Sequence, residues 1–215
     1  MKIRTISEFN EALDSDFAWR QKELIAFNIQ LSGSSDKLRP MYIRSGICLL
    51  YAHWEGFIKT TSEYYLSFIS NKKLRYNELS FPLLALALRF KFKNYNDTNT
   101  PQTHISFIHF LLKSLHSPAT IPKINVMEIG ANLNSECLKK IIIMLGLDYS
   151  EYKLNEDLID NQLLHWRNNI AHGQFVFPKN EDFNSLYQTI IKLIRHFKDQ
   201  ISNAVSLEEF KIKSN

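Results

Sequence analysis

Cysteine is scarce in this chain. Two in 215 residues, Cys48 and Cys137, each in an apolar helical context with no CxxC or Cys/His cluster nearby, argue against a disulfide framework or a zinc site and favour buried reduced thiols. HExxH, P-loop and GxSxG patterns are absent, and His104, His109 and His116 do not share one metal-binding spacing, so no cofactor and no metal is expected. No run approaches the roughly 18 apolar residues of a membrane span, and Met1-Lys2-Ile3-Arg4-Thr5-Ile6-Ser7-Glu8 lacks the apolar core of a signal peptide. The expectation is a soluble, cytoplasmic protein. Excess charge is also small: 26 basic against 22 acidic residues leave +4, so no global field selects nucleic acid and any partner must be recognised locally.

Apolar residues are not scarce. At 45% hydrophobic and 13% aromatic, the chain can bury a sizeable core. Thr5-Ile6-Ser7-Glu8 has the form of a capping box, and Phe9, Leu13, Phe17, Leu24, Phe27 and Leu31 recur at helical spacing up to Ser32-Gly33. Pro40 opens a second long pattern from Ile43 to Phe68, and the two predict an antiparallel hairpin. Ser80-Phe81-Pro82 leads a shorter helix to about Phe90; Asn94 to Pro101 reads as a surface loop, and Ile105 to Leu115 as another helix. Residues 117–133 read as an irregular connection. Asn134 or Ser135 caps a helix closed by Gly146, and Leu158, Ile159, Leu163, Trp166 and Ile170 give the next helix its apolar stripe. A last long helix runs from Phe183 to Ile201. Helical periodicity recurs with hardly any strand alternation, no repeat and no convincing linker, so the expectation is one all-α domain spanning residues 1–215.

Near the end of the stripe, Leu163-Leu164-His165-Trp166-Arg167-Asn168-Asn169-Ile170-Ala171-His172-Gly173 sets an arginine, two asparagines and a histidine against a helix-stopping glycine. Arg167 to His172 resembles the Arg-x4-6-His motif of the HEPN superfamily, and Asn168 supplies the polar residue common after its arginine. Leu50-Tyr51-Ala52-His53-Trp54-Glu55-Gly56-Phe57-Ile58-Lys59, with Asn132-Leu133-Asn134-Ser135-Glu136 and Leu145-Gly146-Leu147-Asp148, is similar to the MAE_28990/MAE_18760-like HEPN branch. The resemblance covers about residues 40–200. It implies a HEPN-like bundle of long antiparallel helices with additional short ones. It also implies a metal-independent endoribonuclease, a toxin or phage-defence effector checked by an antitoxin or sensor. Its composite active site would form across a homodimer. Some superfamily members are non-catalytic modules that bind a nucleotide or a protein, and that alternative stays open.

The residue chemistry suits RNA cleavage without metal. Histidine titrates near neutrality and can carry the 2′-hydroxyl proton, while the arginine guanidinium clamps a phosphate through two parallel hydrogen bonds. On an ideal helix Arg167 and His172 stand about 140° apart around the axis and about 7.5 Å along it, so one protomer need not bring them together. The competing reading is a solvated arginine and a histidine at a helix stop. Asn168 is the expected auxiliary to the phosphate or the arginine. Glu55, in an apolar neighbourhood, needs a cationic partner, either Arg167 or another. Gly56 permits a close approach, and His53 is expected to be structural or exposed. Lys91 and Lys93, amid Arg89-Phe90-Lys91-Phe92-Lys93, are candidates for RNA binding, as opposed to a solvated helix end.

Overall fold

The computed structural model describes residues 3–98, 100–122 and 132–213, with the backbone alone described from 90 to 98. Eight α-helices are seen among them: α1 (Ile6–Ser32), α2 (Arg39–Asn71), α3 (Phe81–Thr98), α4 (Pro101–Lys113), α5 (Ser135–Leu145), α6 (Ser150–Lys153), α7 (His165–Ala171) and α8 (Asn180–Ser206). A 3-10 turn (Tyr76–Glu78) precedes α3 and a π-helical stretch (Leu158–Leu164) precedes α7. The described residues contain no strand, only the isolated bridges Arg75–Pro118 and Leu79–Lys211. The protein is all-α.

Local chemistry sets the helix ends. Thr5 Oγ1 accepts from Glu8 N (3.1 Å), and Glu8 Oε2 accepts from Thr5 N (3.0 Å), completing the capping box of α1. Pro40 falls in the first turn of α2, where its missing N–H costs nothing. Asn134 Oδ1 accepts from Cys137 N (2.8 Å) at the start of α5, and Gly146 closes that helix at φ 76°. One boundary differs from expectation: α3 runs on to Thr98, through turn-forming residues read as loop. Asn and Asp each cost a helix only a fraction of a kcal/mol, which does not halt one already propagating. Thr100 then caps α4, accepting from Thr103 N (3.4 Å). The connection expected at 117–133 lies mostly outside the described residues.

Ring contacts give the direction of each long helix. Phe9–Phe68, Phe17–Phe57 and Phe27–Tyr42 pair α1 with α2 in opposite senses, as the predicted hairpin requires. Phe57–Phe197 and the packing of Phe183 on Gly46 pair α8 with α2 in the same sense. Gly46 marks a close approach of all three helices. A Cβ there would sit 2.6 Å from the Phe27 ring and 2.9 Å from that of Phe183. Phe57, fully buried between Phe17 and Phe197, contributes about 1.5–3 kcal/mol of burial.

Because α2 is central, it has two working sides. Arg44, Cys48, Tyr51 and Glu55 follow one another at spacings of four, three and four, so they line the side that meets α7 and the loop after it. His53 and Gly56 meet α1 on the other side. No helix among the described residues is long and apolar enough to cross a membrane.

Candidate functional site

Two irregularities bracket the motif helix. The first is the π-helical stretch, where Ile159 and Leu163 are fully buried and Asp160 accepts from Ser135 N (2.7 Å) and Ser135 Oγ (2.5 Å) at the head of α5. Such stretches change the rotational phase of the helix beyond them, and they recur at functional sites. The second lies at the other end. Gly173 N donates to Ile170 O (3.0 Å) and Gln174 N to Asn169 O (2.8 Å), with Gly173 at φ 72°. These are the paired bonds of a Schellman stop, and its left-handed residue is the reason for glycine here. Eight residues, His165 to His172, lie between, and they carry the motif.

Arg167 lies half-buried with its guanidinium 4.2 Å above the Tyr51 ring. Its Nη1 donates to Asn168 Oδ1 (2.6 Å) and to Asn132 Oδ1 (3.1 Å). Both acceptors are neutral. Among the described residues no carboxylate pairs with this arginine, and its Nη2 and Nε donate to nothing. The geometry therefore leaves most of a charge-assisted fork unspent, stacked on a ring that fixes its plane.

Tyr51 is itself held firmly. Its Oη accepts from Leu133 N (2.8 Å), and burial, with the Glu55 carboxylate adding to it, pushes the phenol well above its usual range. Cys48, beside Arg167 and Arg44, has a thiol raised by burial, which the two arginines only partly oppose. Both cysteines are unpaired thiols, Cys137 buried and Cys48 half-buried.

Glu55 pairs with Lys59 one turn along α2 and not with Arg167. The expected cationic partner is thus the second of the two possibilities, and Tyr51 stands between Glu55 and the arginine. Asn168, expected as auxiliary to the phosphate or the arginine, accepts from the guanidinium. His172 does not join them. It is the exposed C-cap of α7, at φ −90° and ψ 12°, and its ring makes no hydrogen bond with a described residue. By helical spacing it shares the outward face with His165 and Asn169, whose Nε2 and Nδ2 lie 2.8 Å apart. Lys91 and Lys93 fall outside the described side chains.

Arg44 was not singled out by sequence. Its Nη1 donates to Gln174 O (2.9 Å) and Val176 O (2.8 Å), and its guanidinium lies 4.9 Å from the Phe177 ring. It ties the loop after His172 to α2. Tyr51 and Asn132 were also missed as site residues, though both lie within stretches that carried the resemblance. Their roles depend on contacts between distant parts of the chain.

The remaining candidates face α1. Arg20 donates from Nε (2.8 Å) and Nη2 (3.2 Å) to Asp16 and stacks 4.6 Å from the Trp19 ring. Its Nη1 lies where a Cβ at Gly56 would come to 2.5 Å, so the glycine admits a guanidinium, not a helix backbone. His53 is 3% exposed, edge-on to Trp19. Its Nε2 lies 2.6 Å from Glu23 Oε2 without the alignment of a hydrogen bond. Burial lowers its pKa, against the pull of Glu23.

Compared with known families, residues 9–210 match the model of the MAE_28990-like HEPN family. No curated protein and no solved structure matches the chain.

Proposed function

The chain belongs to the MAE_28990-like HEPN family, and from that membership we propose that it is a metal-independent endoribonuclease with Arg167 and His172 as its catalytic pair. One observation carries the reading: a half-buried arginine, stacked on Tyr51, that no described carboxylate neutralises and whose Nη2 and Nε point at no described acceptor. A phosphodiester supplies both the missing charge and the missing acceptors.

In the proposed reaction the guanidinium holds a non-bridging phosphate oxygen, and Asn168 and Asn132 fix its plane. An imidazole takes the proton of the 2′-hydroxyl, whose oxygen attacks the adjacent phosphorus. The 5′-oxygen bond breaks, a proton is returned to that oxygen, and the products are a 2′,3′-cyclic phosphate and a 5′-hydroxyl. Because Arg167 faces α2 and His172 faces outward on the same short helix, the pair is best completed by a two-fold related copy. Arg167 of one protomer would then meet His172 of its partner. Glu55 supports the site through Tyr51. The biological setting we propose is a cytoplasmic toxin or phage-defence effector held in check by an antitoxin or sensor.

Incubating the protein with total RNA in EDTA and mapping the ends tests this. Cleavage with cyclic-phosphate ends, lost in His172→Ala without loss of thermal stability, is the expected result. Intact RNA, or a fully active His172→Ala, removes the proposal; RNA binding without cleavage favours a non-catalytic module.

A further inference from the structure

The loop that follows His172 displays a phenylalanine almost entirely to solvent. Phe175 is 91% exposed, and Phe177, its neighbour at a ring-centroid distance of 4.5 Å and an interplanar angle of 69°, is 47% exposed. Single exposed apolar residues are ordinary on protein surfaces. This one differs in how it is held. Arg44 Nη1 bonds the carbonyls on either side of it, at Gln174 and Val176, and Gln174 N is tied back to Asn169 O in α7. Arg44 also stacks on Phe177, which in turn meets Phe175 edge to face. None of this rigidity serves a core contact.

We propose that Phe175, seated by Arg44 and Phe177, is a stacking platform for an unpaired base next to the phosphodiester bound at Arg167 and His172. The inference rests on the endoribonuclease reading and narrows it to single-stranded RNA. Phe175 lies three positions beyond His172, a reach of about 10 Å at most, so the ring stands within a neighbouring nucleotide of the reacting phosphate. The stretch from Ala171 to Lys179 carries no acidic residue, and Arg44 sits behind the rings, the mixture of aromatic face and positive charge that holds single strands. A base inside a duplex has both faces covered and cannot use such a ring. The two-fold copy that brings Arg167 to His172 approaches this loop through α7, and the two rings, about 150–250 Å² each, are far too small to supply by themselves the roughly 800 Å² per partner of a stable interface.

The test is binding of a fluorescent single-stranded oligoribonucleotide in the His172→Ala background, where cleavage does not interfere. Stacking on an aromatic ring is worth about 5- to 150-fold in affinity per base. Adding Phe175→Ala should therefore raise Kd about tenfold, while Phe175→Trp stays within about threefold. One abasic position along the strand should abolish the effect of Phe175→Ala, and sedimentation should show unchanged oligomeric mass. Unchanged Kd, an effect indifferent to every abasic position, no RNA binding at all, or a change of mass on Phe175→Ala would each overturn the platform, the last by assigning the rings to a second copy. Wild-type protein that binds with this pattern yet never cuts RNA refutes the nuclease reading alone. Protein that cuts but is indifferent to Phe175→Ala refutes the platform alone.

Discussion

The helix α2 separates two arginines that begin alike and end differently. Arg20 and Arg167 each lie against an aromatic ring, Trp19 at 4.6 Å and Tyr51 at 4.2 Å. Arg20 is 8% exposed and gives two of its nitrogens to one carboxylate, Asp16, with the third seated against Gly56. Arg167 gives one nitrogen to two amide oxygens and meets no described acid. A charge so fully answered as Arg20 holds α1 against α2. A charge left unanswered by any described acid, as at Arg167, is open to an anion.

The largest way to break the comparison is Asp16→Asn. It leaves Arg20 buried without its counter-charge, which should destabilise the fold by about 3 kcal/mol and lower Tm by about 6–12 °C. A melt that moves by less than about 2 °C would make Arg20 as dispensable to the fold as we take Arg167 to be.

Gly56→Ala sharpens the same side. Its Cβ would press to 2.5 Å on Arg20 Nη1, and the guanidinium cannot swing away while both other nitrogens bond Asp16. Overpacking of about 2 kcal/mol is offset by about 1 kcal/mol of helix propensity, for a net loss near 1 kcal/mol. With Asp16→Asn already present the penalty should shrink, and strict additivity in denaturant melts would show that Arg20 is not what the glycine accommodates.

The smallest effect is His53. Its folded pKa is lowered, chiefly by burial, with Glu23 and Asp16 opposing and Arg20 adding to the shift. The neutral ring is the folded form, so its contribution to stability is present above the unfolded value of about 6.5 and is lost as pH falls through the lower folded value. Melts between pH 7 and 5 should be flatter for His53→Gln than for the natural protein. Parallel curves would remove His53 from the acid response.

How much the sequence revealed depends on the range of the interactions concerned. The capping box at Thr5–Glu8, the Asn134 cap and the Gly146 and Gly173 stops are set by bonds within a few residues, and each was legible. The spacing of Arg167, Asn168 and His172 is equally local, set by one short helix and its C-cap. The π-helical stretch was not, because Leu158, Ile159, Leu163, Trp166 and Ile170 fit an unbroken α-helical stripe as well as a rephased one. Arg44 reaches its loop across 132 residues, and Tyr51, Asn132 and Arg167 meet only once the bundle has formed. Gly56 shows the intermediate case: a close approach was foreseen, but the group approaching came from a side chain of another helix.

Arg167→Ala compared with the natural protein, scored for RNA cleavage in EDTA and for Tm, tests the central claim most directly. An unspent guanidinium that binds substrate and not the fold predicts cleavage reduced by at least about a hundredfold, as for loss of a transition-state anion donor, with Tm within about 3 °C. Cleavage retained, or a collapse of Tm like that expected for Asp16→Asn, would mean that Arg167 is a second structural arginine.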